Sequence, residues 1–428
     1  ESVFFWAVKT LDAIFLQKAL ATLSEEEIEN VIQQQDGNGN PVLHQIAQNP
    51  QSLIAVLESL PKDQKRMEAI GQQNFDGDTV LHLAANQDDH QFLASILALL
   101  PTDRRREAVE QTNNDGDTIL HLAAANYQSL QILLKLYKED EKLGAVKPKN
   151  EYGNAVLYTA AANYQSLKMI LKLYPKDQKL QAVQQTNELG ETALYQAAAN
   201  PQSLKMLLKL YSENQRLQAV LQKNVVGNTI LHHVAANYQA LKIILDLLPE
   251  KQRLEAIKHK GTFDNTVLHQ AATHPQSLAT ILESLTTDDE KLKAVEQENK
   301  FGNTVLHIAA NYNNHQSLTT ILESLPEHKR LEAILLKNED SGDTVLHQAR
   351  AHPQSLKAIL EALPKVLRQI ARQLTGMAKN ELVEKTKDNS YAPNNLGFFT
   401  QDRQNEEEKN ENENEPGVNN HYNSQQFN

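Results

Sequence analysis

GDTVLHLAA at Gly77–Ala85, GDTILHLAA at Gly116–Ala124 and GNTVLHIAA at Gly302–Ala310 are spellings of one block, close to G-x-T-V-L-H-x-A-A, that the chain writes nine times. The sixth residue of the block is His or Tyr and serves as a ruler: His44, His82, His121, Tyr158, Tyr195, His232, His269, His307 and His347. Successive intervals run from 37 to 40 residues. A fixed period of this size means a stack of supersecondary units, each burying an apolar face against its neighbours, and not one closed core. Such a stack presents a long surface, so the block predicts a binder before it predicts a catalyst.

Composition agrees with that class. Hydrophobic residues make up 40% of the 428 but aromatic ones only 5%, as suits helices stacked through Leu, Ile and Ala. Lys and Arg number 42 against 54 Asp and Glu, a formal charge of -12; that balance repels phosphate backbones, so no nucleic-acid partner is expected. There is no cysteine, which excludes disulfides, thiolate metal sites and a Cys nucleophile. No run of about 18 apolar residues occurs, so no transmembrane segment is expected. The apolar start, residues 2–8, is followed by Lys9 and Asp12 and reads as an amphipathic helix and not a signal peptide. Glu1 in place of Met leaves room for an upstream segment. The chain is expected to be a soluble monomer.

Residues 1–35 read as an N-terminal helical cap. Their second part, LSEEEIENVIQQQD at 23–36, matches the last third of each later repeat. Nine repeats follow over 36–374. In each, a first helix begins at the Thr of G-x-T, a good N-cap preceded by a Gly that permits a tight turn; in the first repeat Asn40 and Pro41 take over as cap and first helical residue. A second helix begins about five residues after the ruler, at Asn49-Pro50, Asn126-Tyr127, Asn163-Tyr164, Asn200-Pro201 and Asn237-Tyr238. It runs to a proline in most copies, and that proline opens a short third helix, as at 175–187. Insertions at 86–92 and 311–317 are expected to lengthen the turn between the first two helices. Asp264 stands where other turns have Gly and is expected to hold the left-handed conformation. Residues 375–391 read as a capping helix, and 392–428, polar and acidic, as a disordered tail.

These blocks resemble ankyrin repeats, whose signature is T-P-L-H-x-A-A followed by a helix ending in Leu-Leu. The resemblance implies an all-α, ankyrin-like helical solenoid that binds proteins and rarely catalyses. This chain departs from the family in having Val, Ile or Ala for the signature Pro, in its longer period, and in its third helical segment, which is expected to replace the hairpin finger. An array rich in Asn, Gln and Lys with the acidic run Glu406–Glu415 is also similar to effectors that bacteria deliver by type IV secretion. That similarity implies virulence, delivery into the host cytoplasm and a host-derived partner; the other reading of the run is an ordinary solvated tail.

No catalytic constellation is expected, and no cofactor or metal. Seven of the 15 histidines are ruler residues. Helices stack about 8–10 Å apart, too far for neighbours in the column to share one zinc at about 2 Å. The ruler column, His44, His82, His121, Tyr158, Tyr195, His232, His269, His307 and His347, therefore reads as a structural signature. Variation between repeats says more. Fourteen residues past the ruler, repeats three to five carry Lys135, Lys172 and Lys209, where other copies have Glu58, Asp246, Glu283 and Glu361. Two residues further stand Tyr137, Tyr174 and Tyr211, where the other six repeats have Leu. Lys168 and Lys205 add charge one turn earlier. These eight residues are expected to form a docking surface for an acidic or phosphorylated protein, Lys supplying charge and Tyr rigid contact area. The other reading is that the lysines are merely solvated and the tyrosines packed. An alternative function is the substrate-recruiting region of a larger enzyme whose catalytic domain lies upstream of residue 1.

Overall fold

A computed structural model describes residues 18–368, apart from 20, 38, 61, 62, 88 and 366. The N-terminal helix expected before residue 18, the capping helix at 375–391 and the acidic tail at 392–428 fall outside the described residues. Every named element among the described residues is helical. The described residues divide into two compact units, one ending at Val305 and the other beginning at Leu306.

In the first unit a capping-box helix, Glu25–Ile32 with Ser24 as its N-cap, precedes seven repeats. Repeat 4 shows the pattern: a first helix Val156–Ala160, a second Tyr164–Leu173 and a third Lys179–Val183. The second helix starts where the sequence places it, because Asn163 Oδ1 accepts the N–H groups of Gln165 and Ser166 and so satisfies donors that the first turn of a helix leaves open. Asn49, Asn126, Asn200 and Asn237 cap their helices in the same way. First helices pack on first helices of the next repeat, as Val80–Asn86 on Ile119–Ala123, and second on second, as Tyr238–Leu247 on Pro275–Glu283. Ruler-adjacent Leu and Ala supply the seam: Leu81, Ala84, Ala123, Ala160 and Ala197 have no exposed surface. Each large aliphatic side chain so buried stabilises the stack by about 2 kcal/mol.

The second unit holds the helices of the last two repeats, including His315–Ser324 packed on Pro353–Ala362. Here Ser355 Oγ donates to Asn313 Oδ1 at 2.9 Å.

Three expectations need correction. Pro41 is itself the N-cap of Val42–Ile46, with Asn40 outside the helix. The insertions lengthen the first helix and not the turn: Val80–Asn86 and Val305–Asn311 have seven residues where Ile119–Ala123 has five, and three residues separate the first helix from the second in all three repeats. The third helix does not replace the hairpin. It precedes a tight turn that survives, closed by antiparallel bridges Gln35 to Pro41, Thr112 to Thr118, Lys149 to Ala155 and Lys337 to Thr344. The turn persists because its Asn braces it from within: Asn150 Oδ1 accepts the N–H groups of Tyr152 and Asn154. Gly77 shows why the third position after that Asn is glycine, with φ at 76° and space so tight that a Cβ would lie 2.6 Å from the backbone nitrogen of Asn114. In the seventh repeat Asp264 does take the left-handed conformation, φ 57°, and Phe263 beside it does so too, φ 56°. A bulky residue in that region carries about 1–3 kcal/mol of strain.

Candidate protein-interaction surface

The ruler histidines close a capping box. Thr79 donates its N–H to Nδ1 of His82 at 3.1 Å, which leaves the ring proton on Nε2 to donate to the carbonyl of Asp117 in the next repeat, also 3.1 Å away. His takes the place that Glu or Gln holds in the usual box, and its second nitrogen ties one repeat to the next. His232 and His269 repeat the arrangement, reaching Asn265 O at 2.8 Å and Asn303 O at 2.9 Å. His121 reaches Pro148 O at 3.2 Å, and His307 reaches Asp343 O at 3.3 Å. His44 reaches Asp78 O, but its buried Nδ1 finds no donor because Pro41 has no N–H to give. His347 is exposed. Burial pushes His82, His232 and His269 down to about 4, so at neutral pH they are uncharged couplers.

Tyrosine alters this device in repeats 4 and 5. Ala155 caps the first helix of repeat 4 with no side-chain bond, and Tyr158 sends its hydroxyl to Glu191 Oε2 at 3.0 Å. Tyr195 donates to Asn228 O at 3.1 Å. Both phenols are buried, and burial and then the Glu191 charge push them upward.

The expected docking residues separate into two groups. Lys135, Lys168, Lys172, Lys205 and Lys209 are all exposed. Tyr137, Tyr174 and Tyr211 are not: only 5%, 8% and 3% of each is accessible. Their column is Leu in the other repeats, a core position, and the larger ring fills the same place. The tyrosine contact area expected at the surface is therefore inside the stack. Arg106 lies over the Tyr137 ring at 5.0 Å and bonds Glu141 at 2.7 Å, a link between repeats 2 and 3.

Two features escaped the sequence reading. One is an arginine in the third helix. Arg253 donates Nε to Leu248 O at 3.3 Å and Nη1 to Ser284 O at 3.2 Å, capping its own second helix and the next one together. Arg216 does the same for Leu208 and Leu247, and Arg330, in the second unit, for Leu325 and Ala362. Repeats 3 and 4 have Lys142 and Lys179 there. The other feature lies at the tips of the turns, where Phe75, Tyr152, Leu189, Val225, Val226, Phe263 and Phe301 are exposed. The signal was the residue before the turn glycine, apolar in successive copies.

Among the described residues no group of three or more His, Asp or Glu is placed to hold a metal ion, and no helix is long and apolar enough to cross a membrane.

Residues 43–147 match the family model of ankyrin repeats, in three copies. No curated protein matches the chain. Among solved structures it is similar to the ankyrin repeat domain of Bcl-3, described as a unique member of the IkappaB protein family, at 17% identity over 57% of this chain and 99% of that one. The TM-score is 0.37, too loose a superposition to carry an argument. Residues 43–147 thus carry ankyrin repeats, modules that generally serve protein–protein interaction and are typically non-catalytic.

Proposed function

We propose that this ankyrin-repeat chain is a non-catalytic scaffold that holds an acidic or phosphorylated protein segment against the lysine face of repeats 3–5. The observation that carries the reading is uncompensated charge. In repeat 6, Lys242 pairs with Asp246 at 3.3 Å, and in repeat 9 Lys357 pairs with Glu361 at 3.8 Å. At the same two positions, repeats 4 and 5 have Lys168 with Lys172 and Lys205 with Lys209, and none of these four forms an ion pair among the described residues. Like charges four apart on a helix cost about 0.2–0.5 kcal/mol per pair. An acidic segment laid along the face relieves that repulsion, and five exposed cations on an acidic chain give it a local field to follow.

Affinity capture with the full chain tests this, set beside the triple variant Lys135→Glu, Lys172→Glu and Lys209→Glu. Capture is expected to be lost in the variant, and capture unchanged by the reversal contradicts the reading. The run Glu406–Glu415 supports a finer reading, that the partner is a host protein reached by type IV secretion. Removing residues 401–428 should then abolish delivery into a host cell, and undiminished delivery rejects that role for the tail.

A further inference from the structure

The second helices of repeats 3–6, Tyr127–Leu134, Tyr164–Leu173, Pro201–Leu208 and Tyr238–Leu247, pack one on the next, and their outer side differs from the other repeats in more than charge. Eleven residues past the ruler stand Ile132, Met169, Met206 and Ile243. The same place holds Ala55, Ser95, Thr280, Thr320 and Ala358 in the other repeats. One turn further, Leu136, Leu173, Leu210 and Leu247 stand where repeats 1, 7 and 8 have Ser59, Ser284 and Ser324. Each of these Ile, Met and Leu side chains is only half-buried.

The stack does not require them. Ser59, Ser284 and Ser324 turn their hydroxyls back to Val56 O, Ile281 O and Ile321 O, each at 2.6 Å, so those repeats close with no apolar side chain there. Large apolar groups left partly open in four successive repeats form a patch, which single exposed residues do not. Two of the chain's four methionines lie in it, side chains that reshape around what they touch.

The border of the patch says what covers it. Lys135, Lys172 and Lys209 stand three residues beyond Ile132, Met169 and Met206, on the same side of each helix, and Lys168 and Lys205 directly precede the methionines. The second helices of repeats 3–5 contain no Asp or Glu, and Asp246 of repeat 6 is held by Lys242. The segments that follow, 138–142, 175–179 and 212–216, carry five acids against five bases, so they leave the lysines uncancelled. Stacked helices lie about 8–10 Å apart, and seven residues of an α-helix rise about 10.5 Å. One heptad of a crossing helix therefore matches one repeat.

We infer that the patch and its lysines seat an amphipathic acidic α-helix of a partner protein, about 20 residues long, laid across the four second helices. Its apolar stripe meets Ile132, Met169, Met206 and Ile243, and its Glu or Asp flanks meet the lysines. Burial gives affinity, and the lysines select acidic over basic flanks. This helix is the acidic segment of the function proposed above, on which the inference rests, now given a fold and an apolar side.

The probe is a labelled helical peptide of about 20 residues, with Leu at the first and fourth places of each heptad and Glu beside them, titrated by anisotropy against the full chain. One control has the same composition with its leucines scattered round the helix, and another has Lys for Glu. Saturable binding of the probe is expected, at least about tenfold weaker for the scattered peptide and for Met169→Thr with Met206→Thr, and none for the Lys peptide. Repeats 7 and 8 carry Thr in this column, so the variant should unfold at the temperature of the parent; the scattered peptide tests the apolar side on the unaltered chain. Equal binding of probe and scattered peptide, lost on reversal of Lys135, Lys172 and Lys209 to Glu, overturns the inference and leaves the proposed function standing. Probe binding that survives the reversal contradicts both. No binding up to about 1 mM overturns the inference. So does a dimer in sedimentation, or capture by phosphatidylserine vesicles, that the Thr variant loses, since the patch would then belong to a second copy or to a lipid surface.

Discussion

Repeats 6 and 7 are joined at both ends, and repeats 4 and 5 are joined otherwise. Between 6 and 7, His232 closes a capping box and reaches Asn265 O, while Arg253 clasps the ends of two second helices. Between 4 and 5 the first helix lacks a side-chain cap, Tyr158 reaches the carboxylate of Glu191 instead of a backbone carbonyl, and Lys179 stands where the arginine would be. The same stretch exposes Lys168, Lys172, Lys205 and Lys209, none of which forms an ion pair among the described residues. One stack thus contains a junction built for cohesion and a junction that has given up cohesive groups beside a charged face. The difference supports the proposal that the second serves a partner, because its lysines form no ion pair among the described residues that a partner would have to break.

Acid should narrow this contrast most, because it acts on the cohesive junction and spares the other. The ruler histidines His82, His232 and His269 have folded pKa values of about 4, below the unfolded value of about 6.5. Each therefore takes up its proton on unfolding, so its contribution is whole above pH 6.5 and is lost as pH falls toward 4. The full extent is roughly 3 kcal/mol for each. Asp117 runs the other way: burial raises it to about 6, so repeat 3 regains stability as the pH drops below that value. Tyr158 and Tyr195 do not titrate in this window. Hydrogen exchange at pH 5 against pH 7 should show the first helices of repeats 6 and 7 opening while those of 4 and 5 change little. Uniform loosening would break the comparison.

Removing the coupler by substitution comes next in size. His269→Ala leaves the buried Thr266 N–H without its acceptor and takes one of two donors from the Asn303 carbonyl, which keeps the Asn299 N–H, and should cost about 2 kcal/mol by denaturant midpoint. Tyr195→Phe removes one bond to Asn228 O and should cost about 1 kcal/mol. Smallest is a gain: Lys179→Arg supplies the missing clasp and should stabilise by at most about 1 kcal/mol. A loss from that variant would show that the 4–5 junction has no place for the guanidinium.

Helix starts were legible in the sequence because Asn, Thr and Pro carry local chemistry that does not depend on neighbours. The ruler column was legible for the same reason, since T-x-x-H closes within one turn. Tyr137, Tyr174 and Tyr211 were misplaced although their column is Leu elsewhere, which is itself the mark of a core position. The arginine clasp was hidden because its acceptors are backbone carbonyls, which every residue offers. The apolar turn tips were hidden because exposure at a turn tip follows from how successive turns stack, and single residues do not state it. Phe263 is the sharpest case: its outward position depends on a left-handed backbone that Gly261 and Asp264 alone would not have suggested.

The central claim rests on the lysine face, and a differential measurement tests it most directly. The triple reversal Lys135→Glu, Lys172→Glu and Lys209→Glu turns the like-charge pairs of repeats 4 and 5 into opposite ones, so the variant should be slightly more stable, by up to about 1 kcal/mol. Thermal unfolding and affinity capture should be measured on the same preparation, with Lys242→Glu in repeat 6 as control. The account predicts a fold as stable or more so, capture lost in the triple variant, and capture retained in the control. Capture that survives the triple reversal, or that falls equally in the control, would contradict it.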